Sequence, residues 1–189
     1  MARAKSYSTM TLETLFELAK QQWIRAKLDK RHPFRFFTLA TVCSENLAKT
    51  RMVVLRNFDP QTFQFTIYTD LRSGKVIDLQ HQKKAQLFFY HPKKRLQLIV
   101  DATLYKKDMP QTLFLAQPES SRKDYTAVLP PGTPLNKEEA PQYESDKNYF
   151  MRLVFQTTSI ELLQLDRPMH HRALFTLQKQ GWKKQFLVP

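Results

Sequence analysis

A basic, hydroxyl-rich corner between two predicted elements has the composition of an anion site. The segment YTDLRSGKV places Arg72 and Lys75 around Ser73 and Gly74, one of only three glycines in the chain. It follows the strand-like run TFQFTIYT and precedes VIDLQHQ, whose apolar spacing is helical. The first N–H groups of a helix lack partners and carry the positive end of its dipole. Together with the Thr69 and Ser73 hydroxyls, these features are typical of a phosphate site.

A second pair of cations lies on the run TRMVVLRN. Successive side chains of a strand point to opposite faces, so Arg51 and Arg56 are predicted to leave this strand on different faces. Arginines at the two ends of an apolar strand are ordinary if both reach water. They indicate a binding site if both contact the same bound anion and ring system.

Helical spacing of apolar residues predicts an N-terminal helix over residues 11–30. Thr11 is the predicted N-cap, and the helix must end before Pro33 because the residue before a proline disfavours the helical conformation. The apolar residues that recur on one face are Leu12, Leu15, Phe16, Ala19, Trp23 and Ala26. This face is predicted to pack on the core.

From residue 34 onward the pattern is that of strands. The runs PFRFFTLATV, LAKTRMVVLRNF and TFQFTIYT precede the short helix VIDLQHQ, and AQLFFYH and RLQLIVDATLY follow it. Weak helical character over residues 111–129 and a Pro-rich loop over residues 130–148 lead to YFMRLVFQTT, SIELLQL, RALFTLQ and WKKQFLVP. This order predicts one mainly β domain over residues 1–189, with flanking α-helices and antiparallel strands closed into a barrel. The Pro-rich loop is interpreted as a lid or a dimer-wrapping segment.

The charge of the chain favours an anionic partner. Thirty Lys and Arg against 17 Asp and Glu give a net charge of +13, which suits nucleic acid, a phosphorylated small molecule or an acidic surface. The basic residues are spread along the chain, so much of the excess is expected to be solvated surface.

Cysteine and histidine usage indicates the compartment and argues against a metal. A single cysteine, Cys43, excludes an internal disulfide framework and predicts a reducing, cytoplasmic location. No apolar run is long enough to span a bilayer, and the basic start MARAKSYS lacks the apolar segment of a secretory signal. The five histidines form no recognised zinc pattern with Cys43, so no metal is expected.

The motifs RMVVLR, IYTDLRSGK and AQLFFYHPKKRLQLIVDA resemble, in this order, the FMN-binding split barrel of the pyridoxamine 5′-phosphate oxidase superfamily. Members carry an Arg-led apolar strand ending in Lys, then Phe-Tyr-Thr-Asn, Ser-Arg-Lys and a strand with Arg-Gln-Val. The C-terminal segment IELLQLDRPMHHRALFTLQKQGWKKQFLVP resembles the family's ending. LATV, RMVV, TDLRSGK and PGTPL resemble a subgroup of oxidase-related flavoproteins. The resemblance, from Phe34 to Pro189, implies a homodimeric split β-barrel, antiparallel and Greek-key-like, with FMN between two chains.

The resemblance implies a role for each matching residue at the FMN phosphate. Arg51 and Lys75 would hold the phosphate, with help from Ser73 and Arg72. Charge-assisted hydrogen bonds and a helix terminus are suited to that group. A departure occurs at Gly74, which replaces the second basic residue of Ser-Arg-Lys.

Further residues would contact the rest of the cofactor. The strand backbone lying along the isoalloxazine ring would be that of Met52, Val53 and Val54. Arg56 stands where the family has Lys near the ring, and Tyr68 and Thr69 would contact the ribityl chain and phosphate. Gln97 and Arg172 would come from the second subunit. Leu163 replaces the family's Trp over the flavin edge.

The substrate side departs further from the family pattern. Leu113 and Gln117 replace the Tyr and Arg that hold the substrate phosphate, although Ser121 is kept. The C-terminal Arg-x-His becomes Pro-Met-His, which retains His170 as a candidate proton donor or substrate contact. Each missing charged hydrogen bond would be worth roughly 1.5–3 kcal/mol, so efficient oxidation of pyridoxamine phosphate is not expected.

Several functions remain open at this point. The first hypothesis is an FMN-dependent oxidoreductase acting on an unidentified small molecule, and the second is a non-catalytic flavin-binding or sensing protein. A third is a basic nucleic-acid-binding barrel, but the aromatic residues fall in apolar runs instead of alternating with basic residues on an open strand face. A fourth is a split barrel that handles haem or a deazaflavin.

Overall fold

A computed structural model describes residues 10–136 and 139–189, most of which form one antiparallel sheet. The strands in this part of the chain are β1 Phe36–Val42, β2 Ala48–Val54, β3 Asn57–Asp59, β4 Gln64–Asp70, β5 Lys84–His91, β6 Leu96–Asp108, β7 Phe150–Gln164, β8 His171–Gln178 and β9 Gly181–Leu187. The helices are α1 Leu12–Leu28, α2 Gly74–His81, α3 Gln111–Leu115 and α4 Glu119–Arg122. Single 3₁₀ turns lie at Pro33–Arg35, Pro92–Lys94 and Lys123–Tyr125.

The sheet curls because two consecutive strands lie at opposite ends of it. The order is β2-β1-β5-β6-β7-β4-β3, with β8 beside β7 and β9 beside β8. Between β2 and β3, the Leu55 N–H donates to the Arg35 carbonyl at 2.8 Å and the Arg56 N–H donates to the Thr66 carbonyl at 2.9 Å. The chain therefore crosses here from the β1 side to the β4 side. This curled antiparallel sheet confirms the predicted mainly β split-barrel fold.

Two predicted strand boundaries are wrong. The run LAKTRMVVLRNF is not one strand but two, because residues 55 and 56 change pairing partners. The runs YFMRLVFQTT and SIELLQL form the single strand β7, which pairs with β6, β4 and β8. Register shifts in the β6–β7 ladder let this long strand bend instead of ending.

Helix α1 packs its apolar face on the inside of the curl, as its spacing predicts. The Thr11 hydroxyl accepts the Thr14 N–H at 3.1 Å, which confirms the N-cap. Trp23 is fully buried, and its ring centroid lies 5.3 Å from that of Phe58 and 5.1 Å from that of Phe65. The helix and sheet thus share one aromatic core.

A smaller cluster covers the opposite face of β4 and β7. The Phe150 ring lies 4.9 Å from Tyr68, 5.8 Å from Phe114 and 5.0 Å from Tyr125, measured between centroids. Phe114 belongs to α3 and Tyr125 to the last 3₁₀ turn. We call these four residues the aromatic cluster.

Strands β1, β2 and β5 leave an apolar surface uncovered on the side away from the core. Its most exposed members are Phe36 at 55%, Met52 at 62%, Phe88 at 36% and Tyr90 at 45%. Thr38 pairs with both Met52 and Phe88, so these side chains are neighbours on one face. We call Phe36, Met52, Phe88 and Tyr90 the outer face.

The helices of the described residues do not include one that is both long and apolar enough to cross a membrane.

Replacing Trp23 with alanine should lower the free energy of unfolding by about 3–5 kcal/mol, the usual cost of deleting a buried large aromatic side chain. Chemical denaturation measures this change. Leu28→Ala is the matched control because Leu28 ends the same helix but is 77% exposed, and its effect should stay within about 0.5 kcal/mol. Equal losses in the two variants would contradict the proposed packing of α1.

Candidate cofactor site

A basic corner forms where β2, β4 and α2 meet. The Lys75 ammonium donates to the Thr69 hydroxyl at 2.9 Å and to the Ser73 hydroxyl at 3.1 Å. The two hydroxyls are themselves 3.0 Å apart. Arg51 enters the corner from β2, and its guanidinium contacts Asp78 in α2, the helix that carries Lys75. We call Arg51, Thr69, Ser73 and Lys75 the basic corner, and the structure brings together these four residues that the sequence predicted as phosphate ligands.

Arg51 is fixed between strand and helix by a buried carboxylate. Its guanidinium donates to Asp78 Oδ2 at 3.1 Å, to the Thr41 hydroxyl at 2.5 Å and to the Lys49 carbonyl at 2.9 Å. The Thr41 hydroxyl donates to the same Asp78 oxygen at 2.6 Å. Asp78 and Thr41 are both buried. The arginine is therefore held in one orientation before any ligand arrives.

Thr41 and Asp78 hold Arg51 in the candidate site, and sequence reasoning missed both of them. Asp78 lies three residues after Lys75 in α2, and this spacing on a helix could have identified it as a neighbour. Thr41 carries no comparable signal because its contact with Asp78 joins residues that are far apart in the chain.

Lys75 lacks a carboxylate of its own. Among the described residues its hydrogen-bond partners are the two neutral hydroxyls, and no ion pair includes it. Burial lowers the pKa of Lys75, and the neighbouring charge of Arg51 lowers it further. The Ser73 side chain does not cap α2, so the N-terminus of that helix is left without a side-chain cap. A half-buried cation beside a second cation and a helix N-terminus fits a phosphate group.

Gly74 lies at this terminus but is not required by the backbone. A Cβ placed on it meets nothing within 4 Å. The space in front of the helix terminus is open, and a larger residue would be accommodated here.

Arg72, predicted to assist with the phosphate, has a different set of contacts. Its Nε and Nη2 donate to the two Asp70 carboxylate oxygens at 3.1 and 2.7 Å. It also donates to the carbonyls of Ala127 at 2.8 Å and Val128 at 3.0 Å, and it lies 3.2 Å from the centroid of the Tyr149 ring. The hydrogen bonds to Asp70 raise the pKa of Arg72. In the structure this guanidinium contacts residues on both sides of the Pro-rich loop, Ala127 and Val128 before it and Tyr149 after it.

Strand β2 presents backbone that a ring system could contact. It lies at one end of the sheet order, so among the described residues one edge of Met52, Val53 and Val54 has no strand partner. An unpaired strand edge offers N–H and C=O groups in a row. This arrangement agrees with the expectation that the β2 backbone lies along a flavin ring, which stays a prediction.

Arg56 and Tyr68 are on the other side of the sheet from the basic corner. Arg51 shares a face with the buried Val53 and Leu55, so Arg56 points to the opposite face, as predicted. Its guanidinium lies 5.4 Å from the Tyr68 ring centroid. Tyr68 belongs to the aromatic cluster and is separated from its neighbour Thr69 by the sheet itself.

Gln97 and Arg172 are not brought to the basic corner within one chain. Strand pairing places Tyr90, Gln97, Leu163 and Arg172 in one row across β5, β6, β7 and β8. Arg172 donates to a carboxylate oxygen of Glu161 at 2.6 and 2.9 Å. This row continues the outer face, and a second copy would be needed to bring it near a cofactor at the basic corner.

The candidate substrate residues form no polar site. The Gln117 amide donates back to the Leu113 carbonyl at 3.0 Å, one turn away. His170 is exposed and precedes β8. Within residues 10–136 and 139–189, no three His, Cys, Asp or Glu side chains gather as metal ligands would.

Comparison with known proteins supports the same cofactor. Residues 14–105 match the family model of the pyridoxamine 5′-phosphate oxidase FMN-binding domain. A pyridoxine/pyridoxamine 5′-phosphate oxidase of Christiangramia forsetii is 26% identical over 171 residues, covering 80% of this chain and 77% of the relative. One from Microcystis aeruginosa is 30% identical over 105 residues, covering 54% of this chain and 48% of the relative. The resemblance to this family is confirmed, and FMN is the cofactor that the matched domain binds.

Solved structures share the fold over nearly the whole chain. A pyridoxamine 5′-phosphate oxidase-related FMN-binding protein of Nostoc punctiforme superposes with a TM-score of 0.73 at 21% identity, covering 97% of this chain and 99% of its own. PhzG of Burkholderia lata, crystallised with tetrahydrophenazine-1-carboxylic acid, has a TM-score of 0.72 at 14% identity, with 92% of each chain covered. At these identities the likeness establishes the fold.

Arg72→Lys should loosen the Pro-rich loop without removing flavin. Lysine keeps the charge but cannot reproduce the forked contacts to Asp70 and the two carbonyls. Limited proteolysis should cleave residues 126–149 several-fold faster than in the unmodified protein, at unchanged flavin content. Arg95→Lys is the control, since among the described residues the Arg95 side chain makes only an exposed ion pair, with Asp166 at 3.9 Å. A loss of flavin with unchanged proteolysis would instead make Arg72 a phosphate ligand.

Proposed function

We propose that this protein is an FMN-dependent oxidoreductase acting on a small molecule, with FMN bound between two copies of the chain. The observation that carries the proposal is the basic corner, where Lys75 is a half-buried cation without a carboxylate partner among the described residues. Buried charges in proteins are normally paired, so the corner favours an anion of the size of a phosphate. The single cysteine agrees with a cytoplasmic location.

The chain's own residues would divide the work of binding. Lys75 and Arg51 would neutralise the phosphate, while the Ser73 and Thr69 hydroxyls donate to its remaining oxygens. The open edge of β2 would address the ring, and Arg56 would favour negative charge at the ring's pyrimidine edge. FMN, when bound, supplies the redox chemistry, and the protein orients it and sets its electrostatic surroundings.

The outer face supports a second copy as the missing part of the site. Phe36, Met52 and Tyr90 are exposed apolar side chains on adjacent strands, an arrangement typical of an interaction surface. The row that includes Gln97 and Arg172 continues this face. Packing of two such faces would cover the apolar residues and carry Gln97 and Arg172 of one copy toward the FMN of the other.

The purified protein should be yellow and should release FMN on denaturation, and Lys75→Ala should lower the FMN affinity at least about tenfold because a charge-assisted hydrogen bond to phosphate is lost. Flavin absorbance and chromatography of the released cofactor measure this. Arg51→Ala should lower FMN affinity too, but it also leaves the buried Asp78 carboxylate unpaired and should cost stability.

Lys49→Ala is the control for these variants. Lys49 is exposed on the same strand as Arg51, and its loss should leave FMN content unchanged. A flavin-free protein, or full flavin content in both Lys75→Ala and Arg51→Ala, would overturn the proposed phosphate site.

Phe36→Lys should convert a dimer into a monomer of 22.4 kDa and reduce flavin retention, because a buried charge would disrupt the apolar contact between copies. Sedimentation analysis gives the mass, and absorbance gives the flavin content. Leu47→Lys is the comparison, since Leu47 is 53% exposed in the turn between β1 and β2. A monomeric parent protein with full flavin content would contradict the shared site.

A non-catalytic flavin-binding role is the second candidate. It is favoured by the substrate side, where Leu113 and Gln117 offer no charge and His170 is exposed. Anaerobic reduction of the bound flavin by a small molecule would favour the enzyme, whereas a flavin unresponsive to electron donors would favour a binding or sensing role.

A further inference from the structure

Two turns of the chain begin with the same dipeptide, His-Pro. His32 precedes the 3₁₀ turn Pro33–Arg35, which leads into β1, and His91 precedes the 3₁₀ turn Pro92–Lys94, which follows β5. Each histidine is the N-cap of its turn. The two histidines therefore occupy the same local position at two places that are far apart in the sequence.

Each histidine ring accepts a hydrogen bond through Nδ1. The Phe34 N–H donates to the His32 ring at 3.1 Å, and the Lys94 N–H donates to the His91 ring at 3.3 Å. An accepting Nδ1 requires a neutral ring whose proton is on Nε2. Protonation would turn Nδ1 from an acceptor into a donor, and each turn would lose the bond that caps it.

The two rings also contact each other. Their centroids are 5.4 Å apart, and their planes meet at 85°. The fully buried Phe34 ring lies 5.5 Å from the His32 ring and 6.1 Å from the His91 ring, measured between centroids. His91 is itself buried. A positive charge on either ring would be poorly solvated and would face the other ring.

The surroundings favour the neutral form of both rings. Burial lowers the pKa of His91, and the charges of Lys94 and Lys93 lower it further. Burial also lowers the pKa of His32, and a charge on His91 lowers it further. The other charged groups that act on His32 are Asp29, which opposes the effect, and Arg25 and Lys94, which add to it. Because folding lowers both pKa values, the pair stabilises the protein fully above about pH 6.5, the pKa of a free histidine, and this stabilisation is lost as the pH falls below that value.

Capping alone does not require histidine. Asn, Asp, Ser and Thr are the preferred N-cap residues, and their side chains remain acceptors near neutral pH. Histidine is the side chain that ordinarily changes its charge between about pH 5 and 8. Two histidine caps in contact would weaken both turns over the same range of pH.

The two turns lead directly into the outer face. Phe36 begins β1 after the first turn, and Tyr90 immediately precedes His91. The Arg35 carbonyl accepts the Leu55 N–H at 2.8 Å, so the first turn also holds the crossing between β2 and β3. Opening of the turns would therefore displace side chains through which two copies of the chain are proposed to meet.

We propose that the His32–His91 pair is a pH-sensitive switch. While both rings are neutral, the pair holds the two turns and the outer face in place, and protonation opens the turns and separates the two copies of the chain. The switch goes beyond the proposed function, although its effect on the dimer rests on that function. Opening of the turns can be measured in either case.

Amide hydrogen exchange of the Phe34 and Lys94 N–H groups, at about pH 7.5 and about pH 5, tests the switch. After correction for the intrinsic effect of pH on exchange, the protection of both amides should fall at least about tenfold at the lower pH, because each neutral histidine contributes up to about tenfold per pH unit to the opening equilibrium. Thr14 is the internal control. Its N–H is bound by the Thr11 hydroxyl at 3.1 Å, which does not titrate, and its protection should stay unchanged.

Asparagine variants separate capping from titration. His32→Asn and His91→Asn keep an N-capping acceptor that does not titrate, so Phe34 in the first variant and Lys94 in the second should stay protected at both pH values. His81→Asn is the matched control, since His81 is exposed in the last turn of α2, and it should behave as the parent does. If the variants at positions 32 and 91 fail to fold, nitrogen NMR of the parent's rings decides. Nε2–H forms that become charged at the lower pH support the switch, and Nδ1–H forms overturn it.

Sedimentation analysis tests the effect on the dimer. The parent dimer should dissociate when the pH is lowered from about 7.5 to about 5, because the turns beside the outer face open. The protein that carries both His32→Asn and His91→Asn should remain dimeric at both pH values.

Failure of this inference and failure of the proposed function give different results. Protection of Phe34 and Lys94 that does not depend on pH, or that falls equally in the parent and the asparagine variants, overturns the switch. A parent dimer that is equally stable at both pH values also overturns it. A protein that is monomeric at about pH 7.5 instead contradicts the shared site of the proposed function, and the protection of the two amides then still decides whether the pair opens the turns.

Discussion

The candidate cofactor site depends on the ion pair between the buried carboxylate of Asp78 and Arg51. The carboxylate balances one of the two cations in the basic corner, and one of its two oxygens, Oδ2, accepts from both Arg51 and Thr41. Without this carboxylate, Arg51 and Lys75 would repel each other in a poorly solvated place, and their observed positions would be unfavourable. With it, the corner holds one positive charge more than it can neutralise. That excess favours an anion over an empty or water-filled corner.

Strand β2 supplies Arg51, and the point at which it ends determines the position of Arg56. Residues 55 and 56 cross from one end of the sheet to the other, so β2 ends at Val54 although the apolar pattern continues. Arg56 therefore lies between the two ends of the curled sheet. Arg51 and Arg56 therefore serve opposite faces of the sheet. Arg51 pairs with Asp78 of α2, and Arg56 lies over the Tyr68 ring. A flavin lying along the β2 edge would extend from Arg51 toward Arg56. Its phosphate would then lie near Arg51 and its polar ring near Arg56.

Local sequence patterns predicted the helices and strands well where a single hydrophobic periodicity, helical or alternating, runs through the whole element. Thr11, the apolar face of α1 and the alternation in β5 could all be predicted because neighbours in the chain decide them. The break after Val54 could not, since the apolar run continues through it and only the pairing partner changes. The contacts of Arg72 could not be predicted either. Its acceptors at Ala127 and Val128 are distant in the chain, and a basic residue beside Ser73 resembles a phosphate ligand whatever it actually binds.

The two sides of the candidate site differ in how strongly their residues are coupled. The residues of the basic corner contact one another across β2, β4 and α2, so that losing Asp78 or Lys75 disturbs the whole corner. The substrate ligands have no such coupling. The Gln117 amide donates back to the Leu113 carbonyl one turn away, so this side chain is not connected to the basic corner. Changes at Leu113 and Gln117 can therefore alter the substrate side of the proposed site while the contacts of the basic corner stay intact.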